Sequence, residues 1–470
     1  MKKAFKYVAY AMMVLAPSMG FIACSSDDDS ESGNNNKKEK IAEDLLSPED
    51  QKERLEQAAL DLAAELPASD FEEVAALGAY TVRTYGPRYD WDNVGDWVED
   101  SFYDLVAAVT PKVKTESDTY EGDGYTDINN DIYKNYKLVI AASNFTGEFT
   151  AEEGEWVQTN EEDVDYLCFY FKDQNGEDCS LKLETSKKTT SLFIGEFEKY
   201  DGREEENDYE NNIYTYNYYY NQYNITAKVP EHAVLTLTQG GVVVAQLNLD
   251  VNLSGLSNNA FNLASSNVTV ACTLAFPTSG PGYTIGFSKI AYSGNKKASV
   301  VFSLTKEEAT LLSLAVAGDV SGLPSYKLGV SEGKPDVSEV NGKNVVVEID
   351  VMGEVQLYGS LSNVMSFVEA IGNAKKNKAD ETNFKKYMEQ ANKMMSVGLY
   401  YDGEEGKQAD FQLAAFGKSN KWEMVPTIYF YYDESSYAIT DYFSAENFET
   451  VITTYKEMAQ EYMGLIQETK

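Results

Sequence analysis

The stretch Ile213-Tyr214-Thr215-Tyr216-Asn217-Tyr218-Tyr219-Tyr220-Asn221 concentrates the most usable chemistry of the chain. Side chains alternate along a strand, so Tyr214, Tyr216, Tyr218 and Tyr220 share one face, while Thr215, Asn217, Tyr219 and Asn221 share the other. A row of phenols can stack on sugar rings while its hydroxyls bond sugar hydroxyls. The same row can equally form one side of a sheet interface, because tyrosine suits strands. These four tyrosines are the candidate ligand-binding residues.

Reactive constellations are harder to assemble. The chain has four cysteines (Cys24, Cys168, Cys179 and Cys272) and a single imidazole, His232. A nucleophilic thiol needs a base beside it, and one histidine excludes both a two-histidine zinc site and an HExxH helix. Past Cys24, three cysteines remain, which cannot all pair within one chain. Asp173-Gln174-Asn175-Gly176 reads as a hairpin turn centred on Asn-Gly. With that turn Lys172 faces Cys179, so a Cys168–Cys179 bridge is out of register. Cys272 falls in the apolar phase of its strand and reads as a core thiol.

Asp127-Ile128-Asn129-Asn130-Asp131 begins like a calcium loop, but Ile132 and Leu138 stand where glycine and glutamate are required. The loop starting at Asp90-Trp91-Asp92 fails at Val94 and Ser101. Phe416-Gly417-Lys418-Ser419 ends like a phosphate loop, yet Gln412 replaces its first glycine and strands flank it on both sides. No metal, cofactor or catalytic residue is therefore assigned. With 76 acidic residues, any carboxylate pair can be nominated for hydrolysis and spacing singles out none.

The first residues carry an address. Lys2, Lys3 and Lys6 precede an apolar stretch from Tyr7 to Leu15, and the segment ends Gly20-Phe21-Ile22-Ala23-Cys24. A cationic start, a short apolar core and a small residue before the cut make a secretory signal peptide. The Cys after Ala23 resembles the lipobox of bacterial lipoproteins, with Phe21 where leucine is usual. The resemblance implies cleavage before Cys24 and lipid attachment to it. Ser25-Ser26-Asp27-Asp28-Asp29 resembles the surface-export run of Bacteroidota-type lipoproteins, which implies an outer-membrane anchor with the body facing the cell exterior. Removing residues 1–23 takes away three lysines and no acid, leaving a net charge of −40.

Residues 24–45 read as an acidic tether, poor in apolar side chains, and 46–470 as one large domain whose helical part spans 46–113. Ser47-Pro48 looks like a helix cap, followed by Leu55, Ala59, Leu62 and Leu66 on one helical face. A second helix starts at Ser69-Asp70 and a third runs from Asn93 to Val109. From about Tyr136 the period becomes two. Leu167, Phe169 and Phe171 alternate with Tyr166, Cys168 and Tyr170, and Ala233–Leu253 reads as a hairpin with one apolar face. Further strands follow near 268–276, 283–292, 298–304, 345–357, 397–401, 408–416 and 424–432. Late helices are read at Leu361–Ile371, around Phe384–Met395, and from Ser444 to Ile466.

This pattern is α+β: a large curved antiparallel meander, with N-terminal and late helices packed on the sheet. In outline only, it resembles the half-barrel of bacterial lipoprotein carriers. The length leaves room for a second domain, whose boundary would fall in the Gly/Ser/Pro-rich stretch 318–342.

Composition narrows the function. With 39 basic against 76 acidic side chains and a net charge of −37, the chain repels phosphate backbones, so no nucleic-acid partner is expected. Hydrophobic residues at 43% and a mean hydropathy of −0.40 fit neither a multi-span membrane protein nor a disordered chain. The expectation is a non-catalytic binding or scaffold lipoprotein, held to the membrane by its N-terminal lipid and taking a glycan or a surface protein. An amphiphile carrier with a half-barrel cavity is the alternative, and a carboxylate-dependent hydrolase the second.

Overall fold

The computed structural model describes residues 40–85, 116–117, 135–141, 146–152, 155–159, 164–208, 213–255, 261–262, 266–277, 282–294, 296–321, 325–326, 341–418 and 421–467. Backbone alone is described at 82–83, 85, 116–117, 135–140, 155, 192–208, 213–226, 261–262, 325–326, 418 and 466–467. The helix read at Asn93–Val109 and the loops at Asp90 and Asp127 lie outside these residues.

The architecture is α+β, with one open sheet of 16 strands. From one edge its strands run Ser436–Ala438, Lys421–Phe430, Ala409–Lys418, Met395–Tyr401, Val355–Asn363, Asn341–Val351, Ala309–Ser321 and Lys297–Lys306. They continue through Tyr283–Ser293, Asn267–Phe276, Val242–Ser254, His232–Gln239, Asp178–Thr185, Tyr166–Lys172, Gly147–Glu152 and Glu155–Gln158. Neighbours pair antiparallel, except that Gly147–Glu152 runs parallel to Tyr166–Lys172. Irregularities such as those at Val243/Ala245, Val270/Cys272, Phe287/Lys289 and Ala317/Asp319 add local twist, which a sheet this wide needs.

Two element boundaries differ from the sequence reading. The run 345–357 is two strands, because Met352 and Gly353 adopt positive φ of 55° and 75° and turn the chain back. Leu361 belongs to the second of these strands, pairing with Met395, and the helix begins only at Val364. The Asn363 side chain caps that helix by accepting the Ser366 amide. On either side of the 318–342 stretch, Ser321 pairs with Asn341 and Val320 with Gly342 in the same sheet.

Six helices are described: α1 (Pro48–Ala64), α2 (Glu72–Tyr85), α3 (Val364–Lys376), α4 (Glu381–Asn392), the single turn α5 (Ile439–Tyr442) and α6 (Glu449–Gln467). A 3-10 turn, Ala68–Phe71, leads into α2. Ser47 caps α1 reciprocally: its hydroxyl accepts the Asp50 amide at 3.1 Å, and the Asp50 carboxylate accepts the Ser47 amide.

The helices bury their apolar sides on the sheet. Ala58 of α1 joins Val355, Leu399, Tyr401, Ala409, Ile428 and Phe430, while Leu62 and Leu66 meet Tyr283, Leu304 and Leu311. Phe367 and Ala370 of α3 pack with Val345 and Leu361, and Phe384 and Met388 of α4 pack toward Leu413, Ala415 and Trp422. Phe448, Val451 and Ile452 reach the sheet cluster beside α1.

Phenols then lock α1 in place. Tyr401 donates to the Gln51 carbonyl at 3.2 Å, Tyr442 to Pro48 at 3.2 Å and Tyr455 to Ala59 at 2.9 Å. Beyond the helix end, Tyr283 donates to Glu65 at 2.9 Å and Tyr462 to Leu66 at 3.0 Å. The Tyr283 hydroxyl also lies 2.6 Å from an Asp70 carboxylate oxygen.

Upstream of α1 the chain is bonded to the loop after Tyr401. The Lys407 amide donates to the Lys40 carbonyl at 2.8 Å, and the Ala42 amide returns to the Lys407 carbonyl at 3.1 Å. The Gln408 amide group spans Asp44 and Leu46. Gly406 permits this approach: its φ is +113°, and a β-carbon there would meet the Lys40 carbonyl at 2.6 Å.

These phenols make stability sensitive to alkali. Burial pushes Tyr283 and Tyr455 up to about 12 and raises Tyr401, Tyr442 and Tyr462 as well. In the unfolded chain they ionise near pH ~10. The native state therefore holds more protons above that pH, and stability, fully present below it, falls as pH rises through the folded values. Denaturant midpoints should be level from neutrality to pH ~10 and decline steeply beyond it, with tyrosinate absorbance appearing together with unfolding. A midpoint flat to pH ~12 would contradict this. Tyr283→Phe should cost about 1–3 kcal/mol at neutral pH, read from the same midpoints, because the hydroxyl shared by Asp70 and the Glu65 carbonyl is lost and only the carbonyl keeps another donor, Lys306 Nζ.

Candidate functional site

A concavity of mixed chemistry lies between the start of α2 and the hairpin turn after Lys172. Its volume is about 450 Å³, and its lining includes Glu72, Glu73, Tyr80, Gln174, Asn175 and Gln239. Helical spacing explains one wall: Ser69, Glu73, Ala76 and Tyr80 recur three or four residues apart and so share a face. Leu77 forms the floor, buried among Phe171, Cys179 and Val244.

The opposite wall is the turn. Both the Asn175 and the Glu177 amides donate to Asp173 Oδ1 at 2.8 Å, and Gln239 Nε2 donates to Oδ2 at 2.7 Å. Gly176 takes φ +85°, the left-handed conformation that glycine adopts without strain. The register corrects the sequence reading: Lys172 pairs with Asp178 and Phe171 with Cys179. The loop between the strands is longer by Asp173, Gln174 and Glu177 than a two-residue Asn-Gly loop. Cys168 faces Lys182, and Cys168, Cys179 and Cys272 are all free thiols.

Asp173 is buried, which alone would raise its pKa, but the Glu177 amide, the Gln239 side chain and Asn175 outweigh burial and hold its carboxyl below the ordinary range. The other carboxyls with a resolved shift, Glu43, Glu148, Asp380 and Asp433, also move down. A general acid of the glycosidase kind needs a raised value. Glu72 and Glu73, as adjacent helical residues, point about 100° apart. The cleft offers hydrogen-bonding groups on both walls. Gln239 Oε1 is buried without a donor among the described residues, so the amide that braces Asp173 keeps one acceptor unused.

A second hollow, about 540 Å³, runs along α4 and is lined by Glu381, Thr382, Lys385, Lys386 and Glu389. Charged and polar residues make up the lining of this second hollow. Among the described residues no group of three metal-ligating side chains occurs, and no helix is long and apolar enough to cross a membrane. His232 lies 2.7 Å from Asp250 across a strand pair, with its ring half exposed. Phe416, Gly417 and Lys418 end a strand of a hairpin, as their sequence context implies.

The tyrosine row falls on a separate feature. Thr189–Asp208 and Ile213–Pro230 form a hairpin of 20- and 18-residue strands. Tyr214 pairs with Asn207, Tyr216 with Glu205, Tyr218 with Arg203 and Tyr220 with Tyr200. The four positions share one face of the ribbon; their side chains lie outside the described residues. The row and the cleft are carried by different elements. Sequence spacing signals the row directly, whereas the cleft joins residues about a hundred positions apart and only its Asp-Gln-Asn-Gly turn has a local signature.

No protein-family model, no curated protein and no solved structure matches the chain.

The turn itself is testable. Asp173→Ala strips two backbone amides and the Gln239 amide of their acceptor, and should cost about 2–3 kcal/mol in denaturant unfolding. Asp173→Asn should recover part of that loss. A cost below about 0.5 kcal/mol for Asp173→Ala would show that the turn does not depend on this carboxylate.

Proposed function

We propose that this chain is an outer-membrane-anchored, surface-exposed, non-catalytic binding lipoprotein that takes a glycan in the cleft between α2 and the Asp173–Gly176 turn. The observation that carries the reading is the composition of that cleft. It offers one aromatic ring at Tyr80, amide side chains at Gln174 and Asn175, and carboxylates at Glu72 and Glu73 over an apolar floor. Sugars present an apolar ring face edged by hydroxyls, and such a surface meets both demands: stacking on the ring and bidentate bonding of hydroxyl pairs. The volume falls within the ~300–1,000 Å³ of small-ligand sites.

The anchor is supported by the lipobox-like Phe21-Ile22-Ala23-Cys24 and by the acidic run that follows. Lipidation at Cys24 supplies membrane attachment that a surface of this charge does not provide.

Immobilised-glycan screens with the mature chain test the ligand. We expect retention of a neutral oligosaccharide, weakened at least about tenfold in Tyr80→Ala with Gln174→Ala, with unchanged thermal unfolding. Retention of no glycan, or equal retention by the double variant, would overturn the reading. Cell fractionation tests the anchor: Cys24→Ala should leave the membrane fraction. A Cys24→Ala protein that still sediments with outer membranes would place the attachment elsewhere.

A further inference from the structure

The walls of the cleft differ in what they have left to offer a ligand. On the turn the donors are spent, because the Asn175 and Glu177 amides and Gln239 Nε2 all go to Asp173. What remains beside them is an acceptor, Gln239 Oε1, buried with no donor among the described residues. On α2 the exposed Glu72 and Glu73 carboxylates make no hydrogen bond or ion pair among the described residues. Acids in the first turn of a helix complement its dipole, but that role uses their charge and none of their lone pairs. The unspent groups on both walls are therefore acceptors, and they call for a ligand that donates.

Charge points the same way. Glu72, Glu73 and Asp173 line the cleft, and neither lysine nor arginine joins them among the described residues. Asp173 is held ionised by the turn that it organises. Lys172 does not compensate it. Phe171 packs on Leu77, so strand alternation turns Lys172 to the opposite face, where it pairs with Asp178. Arg83 lies a turn beyond Tyr80 on α2, past the lining. A sugar bearing carboxylate or sulfate would meet like charge on both walls.

We infer that the cleft prefers a glycan carrying a free primary amine, whose ammonium meets the Glu72 and Glu73 carboxylates and the unused Gln239 acceptor. The inference rests on the glycan reading of the cleft and narrows it. An ammonium has three N–H donors and no acceptor, which matches the groups left over. Its bonds to carboxylates are charge-assisted, roughly twice as strong as neutral ones. The ring of the sugar still has Tyr80 and the Leu77 floor, so recognition of the sugar and of its amine are separate contributions.

An oligomer of N-acetylglucosamine and the same oligomer after de-N-acetylation form the test pair, because they differ only in the acetyl group and its removal of the charge. Affinities for the mature chain are measured by calorimetry at about 0.15 M salt and a pH of about 5.5, between carboxylate and amine ionisation. The amine form should bind at least about tenfold more tightly than the acetylated form, and an oligomer of uronic acid should not be retained. Glu72→Gln with Glu73→Gln should bring the ratio of the two affinities to within about threefold. Changing the exposed Glu446, Glu449 and Glu457 to Gln should leave that ratio within about twofold of the starting protein. Circular dichroism checks the fold of each variant, and the ligand pair on the unaltered chain decides the preference without any variant.

An acetylated form bound as tightly as the amine form would overturn the inference and leave the glycan reading standing. Binding of neither would overturn both. An equal loss of preference in the two sets of Glu→Gln variants would reduce the effect to overall charge, and an oligo-lysine of equal charge bound as tightly as the amine oligomer would reduce it to cation binding without a sugar. Either result would overturn the inference.

Discussion

The structure depends on how α1 is held. It enters the domain ahead of every strand, yet the apolar clusters of strands far downstream close around it, with Ala58 among Leu399, Ile428 and Phe430 and Leu62 and Leu66 among Tyr283, Leu304 and Leu311. Apolar contact alone would let a helix slide or rotate on a sheet, because burial is non-directional. Phenol hydroxyls remove that freedom. Three of them engage carbonyls within α1, at Pro48, Gln51 and Ala59, and two engage Glu65 and Leu66 just beyond it. A helical carbonyl has a second lone pair to offer, so this grip leaves the helix's own ladder intact. Tyrosine suits the task because its ring joins the core while its hydroxyl reaches a polar partner at fixed distance.

The same use of tyrosine explains why composition alone misleads about function. Thirty-four tyrosines look like a binding surface, but those at 283, 401 and 442, which are buried, and at 455 and 462, which are half-buried, are fasteners. Nothing in the sequence named the carbonyls they would meet. The tyrosines on the long hairpin differ in setting, since that hairpin belongs to a separate four-stranded sheet and not to the sheet that holds α1.

Legibility in the sequence followed the range of the interaction. The Ser47-Pro48 start of α1, the apolar face of the hairpin from Ala233 to Leu253 and the α+β class are local or periodic signals, and each appears in the structure. The divided strand at 345–357 was missed because Met352 takes a positive φ that its residue type does not advertise. The Lys172 register slipped because Asp173 captures the Asn175 and Glu177 amides, lengthening a turn that Asn-Gly alone would have closed earlier. The cleft was invisible for a simpler reason: α2 and the turn meet only through tertiary packing of Leu77 on Phe171 and Cys179.

In the proposed reading, two distances and one charge set how the body works at a surface. Lys40 is bonded to the loop at Lys407, so the anchored end of the domain is fixed with respect to the sheet. Sixteen peptide steps separate Cys24 from Lys40, and covalent geometry allows them at most about 55 Å. Within that radius the net charge of −40 on the mature chain disfavours contact with anionic headgroups, so the lipid holds the domain near the bilayer while its own field holds it off. The domain needs a rigid frame, which the phenol-locked α1 provides, and recognition chemistry displayed on elements that the frame does not use for its own core. The cleft beside α2 meets that condition.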